Sequence, residues 1–358
     1  MTRTAGKADI PPLVIGGVSV EAGESRSIDL PVSRLHTHTE MTMPVRVVRG
    51  REPGPALFVC AAVHGDEICG VEIIRRLLSH RALKTIAGTL IAVPVVNVFG
   101  FIGHSRYLPD RRDLNRMFPG SEKGSLAARL AHLFMSEVVA NATHGIDIHT
   151  GALHRQNLPH VRVRSQTAET FKLAEVFGVP LVLQSDLRDG SLREAVANTG
   201  KPVLMFEAGE ALRFDEWAVR AGLRGVLNVM AHLQMVQPTR STTKRLGPPV
   251  YAESSTWVRA SESGILRTEV ALGAAVRQGT RLGTVGDPFG DREVAVLAPV
   301  DGIVVGRSNI PLVYEGDALF HIARVEPTAD VEQTLALFQS AIGSGEHFDP
   351  EEGPLSEM

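Results

Sequence analysis

ALFVCAAVHGDEICG, residues Ala56–Gly70, decides how the rest of the chain is read. An apolar run from Ala56 to Val63 stops at His64, and Gly65-Asp66-Glu67 then opens a helical pattern. Such a run fits a strand buried on both faces. His64 and Glu67 stand at i and i+3 across the strand-to-helix turn, so both can face one cation. Alone, the pair is a weak signal. An acid in the first turn of a helix complements the helix dipole whatever histidine stands beside it. Asp66, in the same turn, reads as a cap, and Cys60 and Cys69 read as buried packing thiols without zinc-site spacing.

Outward from this stretch the pattern is α/β. Upstream, Val14–Val20 and Ser25–Leu30 read as short strands around a turn at Glu21–Glu24, and residues 1–12 as a loose tail. His36 and His38, in RLHTHTE, read as solvent-facing. Downstream, Ile68, Val71, Ile74 and Leu78 recur at helical spacing to about Ser79. Thr89–Val96 is a further apolar run, with Pro94 marking an unpaired end. Gly100–Gly120 is a long, arginine-rich connection of the kind that is usually functional or disordered. A helix is expected over Ser125–Ala140. Strands near Ile146–His149, Val161–Arg164, Pro180–Leu183 and Pro202–Phe206 alternate with helices near Ala168–Phe177, Leu192–Asn198 and Asp215–Val236. That alternation predicts a sheet with helices on both faces.

Composition narrows the function. With 37 Lys+Arg against 40 Asp+Glu and 5% aromatic residues, the chain has no charge or stacking signature for nucleic acid or an acidic membrane. The N-terminus lacks an apolar signal region, and no apolar run approaches a membrane span. A soluble, cytoplasmic protein is expected. At 358 residues, one large domain plus a smaller one is expected.

Sites in open α/β sheets form outside the carboxyl ends of the strands. Four polar residues fall at such ends: His64, Asn97, His149 and Glu207. His149, in DIHTG, is the natural third ligand beside His64 and Glu67, since two histidines and a glutamate leave a fourth zinc position open. Asp147 is a candidate partner behind it. Glu207, in MFEAGE, is the candidate general base, with Glu210 a competitor. The Asn115-Arg116 pair, in the arginine-rich connection, suits bidentate capture of a substrate carboxylate.

HGDE at His64–Glu67, RDLNRMFPG at Arg112–Gly120, DIHTG at Asp147–Gly151 and EAGE at Glu207–Glu210 together resemble the succinylglutamate desuccinylase/aspartoacylase family, relatives of the zinc carboxypeptidases. The ordered set spans roughly residues 56–210. The resemblance implies a zinc-carboxypeptidase-like mixed sheet. It implies one zinc per chain held by His64, Glu67 and His149, with Glu207 as general base and proton shuttle. Asn115 and Arg116 would hold a substrate carboxylate. Arg106 resembles the residue that stabilises the oxyanion, with Arg111 as a rival. The implied reaction is promoted-water hydrolysis of the amide of a small N-acyl amino acid. A carboxypeptidase-like peptidase and a non-catalytic binding relative are the alternatives.

The composition shifts at Gln237–Pro249, QPTRSTTKRLGPP, which reads as a linker. Beyond it, APVDGIVV at Ala298–Val305 and EGDALFHIA at Glu315–Ala323 resemble a biotinyl/lipoyl-like β-barrel hammerhead. Its attachment lysine is missing, since Lys244 is the last lysine of the chain. The expected division is therefore a hydrolase domain over 1–245, an all-β module over 246–325, and a helix with an acidic tail over 326–358. The module is expected to be structural, either over the mouth of the site or at homo-oligomer contacts.

Overall fold

Strand Glu52–Ala61 sits inside a mixed sheet because neither of its faces can meet water. Leu57, Val59 and Ala61 point into one core, and Phe58 and Cys60 into the other. It pairs in parallel with Ala87–Val93 on one side and His144–Gly151 on the other, and Val203–Glu210 follows in parallel. All four strands end at the same edge, so their carboxyl-end residues converge. Antiparallel strands flank this block: Glu40–Arg49 and then Ser25–Arg34 at one end, Arg155–Val163 at the other. The computed structural model describes residues 10–164, 167–238 and 247–343. Most of the expected N-terminal tail, most of the linker and the acidic C-terminal tail lie outside the described residues.

Helices Cys69–Ser79, Ala168–Phe177 and Glu216–His232 cover one face of the sheet, and Leu126–Phe134 and Leu192–Ala197 cover the other. The mixed sheet with helices on both faces is as expected. Helix Cys69–Ser79 buries Ile73, Ile74 and Leu77 fully. Each such side chain contributes about 1.5–3 kcal/mol of burial. Ser125 starts its helix by accepting a hydrogen bond from Ala128 N at 3.3 Å, and the last part of the expected Ser125–Ala140 helix widens into a π turn at Met135–Val139.

Three local expectations are corrected. Val14–Val20 is not one strand but a hairpin, Leu13–Ile15 with Val18–Val20, because Gly16 and Gly17 turn the chain at φ 56° and 75°. Ser25–Arg34 pairs not with the strand before Glu21–Glu24 but with Glu40–Arg49; residues 35–39 connect the two, with His36 and His38 exposed as expected. Asp66 does not cap the helix. The helix begins later, after Ile68, which makes no side-chain capping bond, and Asp66 Oδ1 is left buried without a partner.

The C-terminal β region has its own core around Leu282, Val304 and Phe320, and an antiparallel sheet of four strands. Five further strands join the main sheet, among them Val250–Ala252 beside Leu181–Gln184 and Ala275–Val276 beside Gly302–Ser308. Gly302–Ser308 pairs with Arg155–Val163, and Ala318–Arg324 and then Ser255–Arg259 continue outward. The helix expected over Asp330–Ile342 is present as Ala329–Gly343.

Candidate active site

The main chain turns sharply after Ala61. Ala62 takes φ 50°, and Glu67 N donates to His64 O at 3.1 Å, which folds His64 and Glu67 onto one side. His149 comes from the neighbouring parallel strand, where Ile148 stands opposite Ala61. His64 Nδ1 lies 2.7 Å from Glu67 Oε1, and His149 Nδ1 lies 2.8 Å from Glu67 Oε2. One ligand atom from each of His64, Glu67 and His149 falls within 4.8 Å of the other two, and all three residues are buried.

The far nitrogens of both imidazoles meet carboxylates. His149 Nε2 is 2.8 Å from Asp147 Oδ2, and Cys60 Sγ donates to the other Asp147 oxygen at 3.5 Å. Asp147 thus stands behind His149, where the sequence placed it. His64 Nε2 is 3.2 Å from Asp113 Oδ1, an ion-pair distance. Such outer carboxylates fix which nitrogen faces a metal and make it a better donor.

Three carboxylates surrounding two imidazoles make the cluster electronegative. Burial penalises the Glu67 carboxylate, but His64 and His149 outweigh it and hold Glu67 well below the usual range. Burial likewise opposes a charged His149, and Asp147 and Glu67 outweigh it, raising its pKa. With neutral imidazoles, Arg106, beside Asp113 and Glu67, would offset only one of these three negative charges, and the remainder suits a divalent cation. Two imidazole nitrogens and one carboxylate oxygen form a donor set suited to zinc.

The cluster opens into a cavity of about 510 Å³. Glu207 lines it from the strand beside His149, its register partner. Asn157 Nδ2 donates to Glu207 Oε2 at 2.6 Å, and Arg162 Nε lies 3.2 Å from Glu207 Oε1. Burial raises the pKa of Glu207, but Arg162 and the nearby histidines outweigh it, so the net direction is down. Glu210 is not in the cavity wall. It accepts from His154 N at 3.1 Å and from Asn309 Nδ2 at 2.8 Å, bracing the C-terminal region.

Arg106 lines the cavity. Its Nη2 donates to Asp113 Oδ2 at 3.0 Å, and its Nη1 lies 3.4 Å from Glu67 Oε1. Its rival Arg111 is exposed and absent from the cavity wall. Asn115 and Arg116 both line the cavity, and Asn115 Oδ1 accepts from Leu192 N at 2.9 Å. Asn97 is fully buried outside it. There it starts the helix Val98–Ile102, accepting from Gly100 N at 2.9 Å, and donates to Arg106 O at 3.3 Å.

Sequence reasoning missed Asp113, Asn157, Arg162, Arg193, Trp257 and His321. Asp113 was open to detection as an acid inside the Arg112–Gly120 motif. Asn157 and Arg162 face Glu207 only through an antiparallel register that the sequence does not mark. Trp257 and His321 stack at 4.4 Å and reach the cavity because their strands extend the main sheet.

The family model for the succinylglutamate desuccinylase/aspartoacylase catalytic domain matches residues 53–233. The N-alpha-acetyl-L-2,4-diaminobutyric acid deacetylase of Halomonas elongata is 28% identical over 312 residues, covering 83% of this chain and 90% of that one. The succinylglutamate desuccinylase of Pseudomonas aeruginosa is 29% identical over 190 residues, 49% of this chain and 52% of that one. Among solved structures, a succinylglutamate desuccinylase/aspartoacylase from Rhodobacter sphaeroides aligns at 27% identity with a TM-score of 0.74, covering 83% of this chain and 95% of that one. The product-bound ectoine utilization protein EutE (DoeB) from Ruegeria pomeroyi has a TM-score of 0.77 at 23% identity, covers 89% of this chain and 100% of that one, and bears on the fold alone. The curated relatives are deacylases. With just over half of its length matched, this chain belongs to the succinylglutamate desuccinylase/aspartoacylase family.

Proposed function

We propose that this chain is a zinc-dependent hydrolase that cleaves the linear amide bond of a small N-acyl amino acid, releasing a carboxylic acid and a free amino acid. The observation that carries the reading is the buried cluster of His64, Glu67 and His149, opening into a cavity that also holds Glu207. The two Nδ1 atoms and a Glu67 oxygen would hold one zinc per chain. When bound, the ion would supply Lewis-acid polarisation of the amide carbonyl and bring the pKa of an attacking water to about 7.

The protein's own groups handle the proton and the charge. Glu207, with its pKa lowered, is ionised near neutrality and takes the proton of the attacking water, then returns it to the departing amine nitrogen. Asn157 and Arg162 hold its two oxygens in place. Arg106 stabilises the negative charge that grows on the carbonyl oxygen. Asn115 spends its Oδ1 on Leu192 N, which leaves its Nδ2 donors, with the Arg116 guanidinium, for a substrate carboxylate. The proposed division of labour gives the chemistry to residues 1–245 and one wall of the site to the β module over 246–325.

The test is a panel of N-acyl amino acids offered to zinc-loaded protein, following amine release. At least one substrate is turned over. Glu207→Gln retains zinc and loses at least about 10²-fold in kcat, the lower range for a general base. An active Glu207→Gln variant moves the base elsewhere, and no turnover across the panel contradicts the deacylase reading.

A further inference from the structure

Glu207 faces a guanidinium that does not give it a hydrogen. Arg162 Nε lies 3.2 Å from Glu207 Oε1, an ion-pair distance, yet its single N–H is donated elsewhere, to His160 Nε2 at 3.3 Å. The other carboxylate oxygen, Oε2, accepts from Asn157 Nδ2 at 2.6 Å. Among the described residues no hydrogen bond reaches Oε1. Register brings these side chains together. His160 stands opposite Glu207 in the antiparallel pairing of Arg155–Val163 with Val203–Glu210, and opposite residues share one face of a sheet. Arg162, two residues beyond His160, is on that face as well.

His160 can take the Arg162 hydrogen because its own tautomer is fixed. The ring is fully buried, and its Nδ1 lies 2.7 Å from the Leu158 carbonyl, an oxygen that can only accept. Nδ1 therefore carries the ring proton, and a neutral ring leaves Nε2 bare as an acceptor. Burial, then the charge of Arg162, keeps the ring neutral at neutral pH. The consequence falls on Glu207. An N–H donated to a carboxylate oxygen stabilises the ionised form and makes the group a weaker base. A general base also needs a lone pair open to the proton it removes. An Arg162 N–H turned onto Oε1 would take both away. If Nε2 offered no lone pair, Oε1 at 3.2 Å would be the acceptor at hand, and an N–H in a part-buried site gains by pairing.

We propose that His160 is a positioning residue for the hydrolysis: by taking the Nε hydrogen of Arg162, it keeps Glu207 Oε1 free to accept the proton of the attacking water. Arg162 then orients the carboxylate by charge alone, and Asn157 anchors it through Oε2. This rests on the deacylase reading above and deepens it, naming the oxygen that transfers the proton and the buried side chain that keeps it open. His160 itself touches neither substrate nor metal ligand in this role; it acts through Arg162.

Two substitutions in the full, zinc-loaded chain separate the acceptor from the packing. His160→Gln carries a carbonyl oxygen out to the place of Nε2 and keeps an acceptor for Arg162. His160→Asn reaches only as far as Nδ1, so its amide serves the Leu158 carbonyl and leaves Arg162 without the ring's lone pair. With the best substrate of the N-acyl amino acid panel, His160→Asn is expected to lose about 5- to 50-fold in kcat, part of the change in basicity that a charge-assisted hydrogen bond brings. Its KM and zinc content stay at parent values, as expected of a change felt only in the chemical step. His160→Gln is expected to keep kcat within about threefold of the parent. Parent-like kcat in His160→Asn, an equal loss in both variants, or a loss that zinc content accounts for overturns the proposal. If no substrate is turned over, the deacylase reading fails by itself. In that case, or if the variants do not fold, nitrogen NMR of the 15N-labelled parent chain decides on His160. A scalar coupling between Arg162 Nε and His160 Nε2 across their hydrogen bond, with Nδ1 protonated, supports the diverted hydrogen; no such coupling, or a proton on Nε2, overturns it.

Discussion

His64 and His149 each turn one nitrogen toward Glu67. His149 gives the other to Asp147, which fixes it from behind as well as in front, while the other nitrogen of His64 lies 3.2 Å from Asp113 Oδ1. His160 is a histidine of another kind. It is fully buried, receives a hydrogen bond from Arg162 Nε at 3.3 Å, and has its pKa lowered to about 4, first by burial and then by Arg162. The unfolded chain protonates this group near 6.5, so between 6.5 and 4 the unfolded state binds more protons. The stabilising contribution of neutral His160 is therefore present above about 6.5 and is lost progressively as pH falls toward 4, on the order of a few kcal/mol. Thermal melts from pH 7 to 4 are expected to show a steeper fall in Tm for the parent than for His160→Asn. Parallel curves would show that His160 does not titrate on unfolding. Nothing in the sequence distinguishes His160 from His36 or His38, because burial is decided by which strands become neighbours.

At the scale of elements, the turn joining Glu52–Ala61 to Cys69–Ser79 sets the ligand geometry. Gly65 is required there by proximity rather than by φ: a Cβ would stand 1.9 Å from the Gly100 carbonyl carbon and 2.1 Å from Phe101 N. Gly65→Ala must push the helix Val98–Ile102 away or displace His64 and Glu67. It is expected to cost several kcal/mol in denaturant unfolding, in the range of severe packing clashes, and to reduce zinc content together with stability. A variant with parent stability and full zinc would show that the turn has room. The strands and most of the helices were legible in the sequence because apolar runs and helical periods report burial directly. The hairpin at Leu13–Val20 was not, since Gly16-Gly17 looks like strand content until its φ angles are known. Asp66 was misread as a cap because the helix starts beyond Ile68.

Across the whole molecule, three of the four parallel strands deliver His64, His149 and Glu207 to one edge, and the C-terminal strands carry the sheet past them. The cluster of His64, Glu67 and His149 was legible because each of the three follows closely on the carboxyl end of an apolar run, which the sequence displays. Asn157, Arg162 and Trp257 were not, because their partners, Glu207 and His321, stand far away in the chain and no local pattern records them. Among the described residues no helix is long and apolar enough to cross a membrane. Ser255, Trp257 and His321, from C-terminal strands, line the cavity wall. The central claim is that His64, Glu67 and His149 bind the zinc on which hydrolysis depends. Metal analysis of the parent chain and of His149→Ala, purified alike after zinc loading, tests it most directly. The account predicts one zinc per parent chain and the loss of about that equivalent in the variant, in line with removal of one of three protein ligands; equal zinc in both proteins would contradict it.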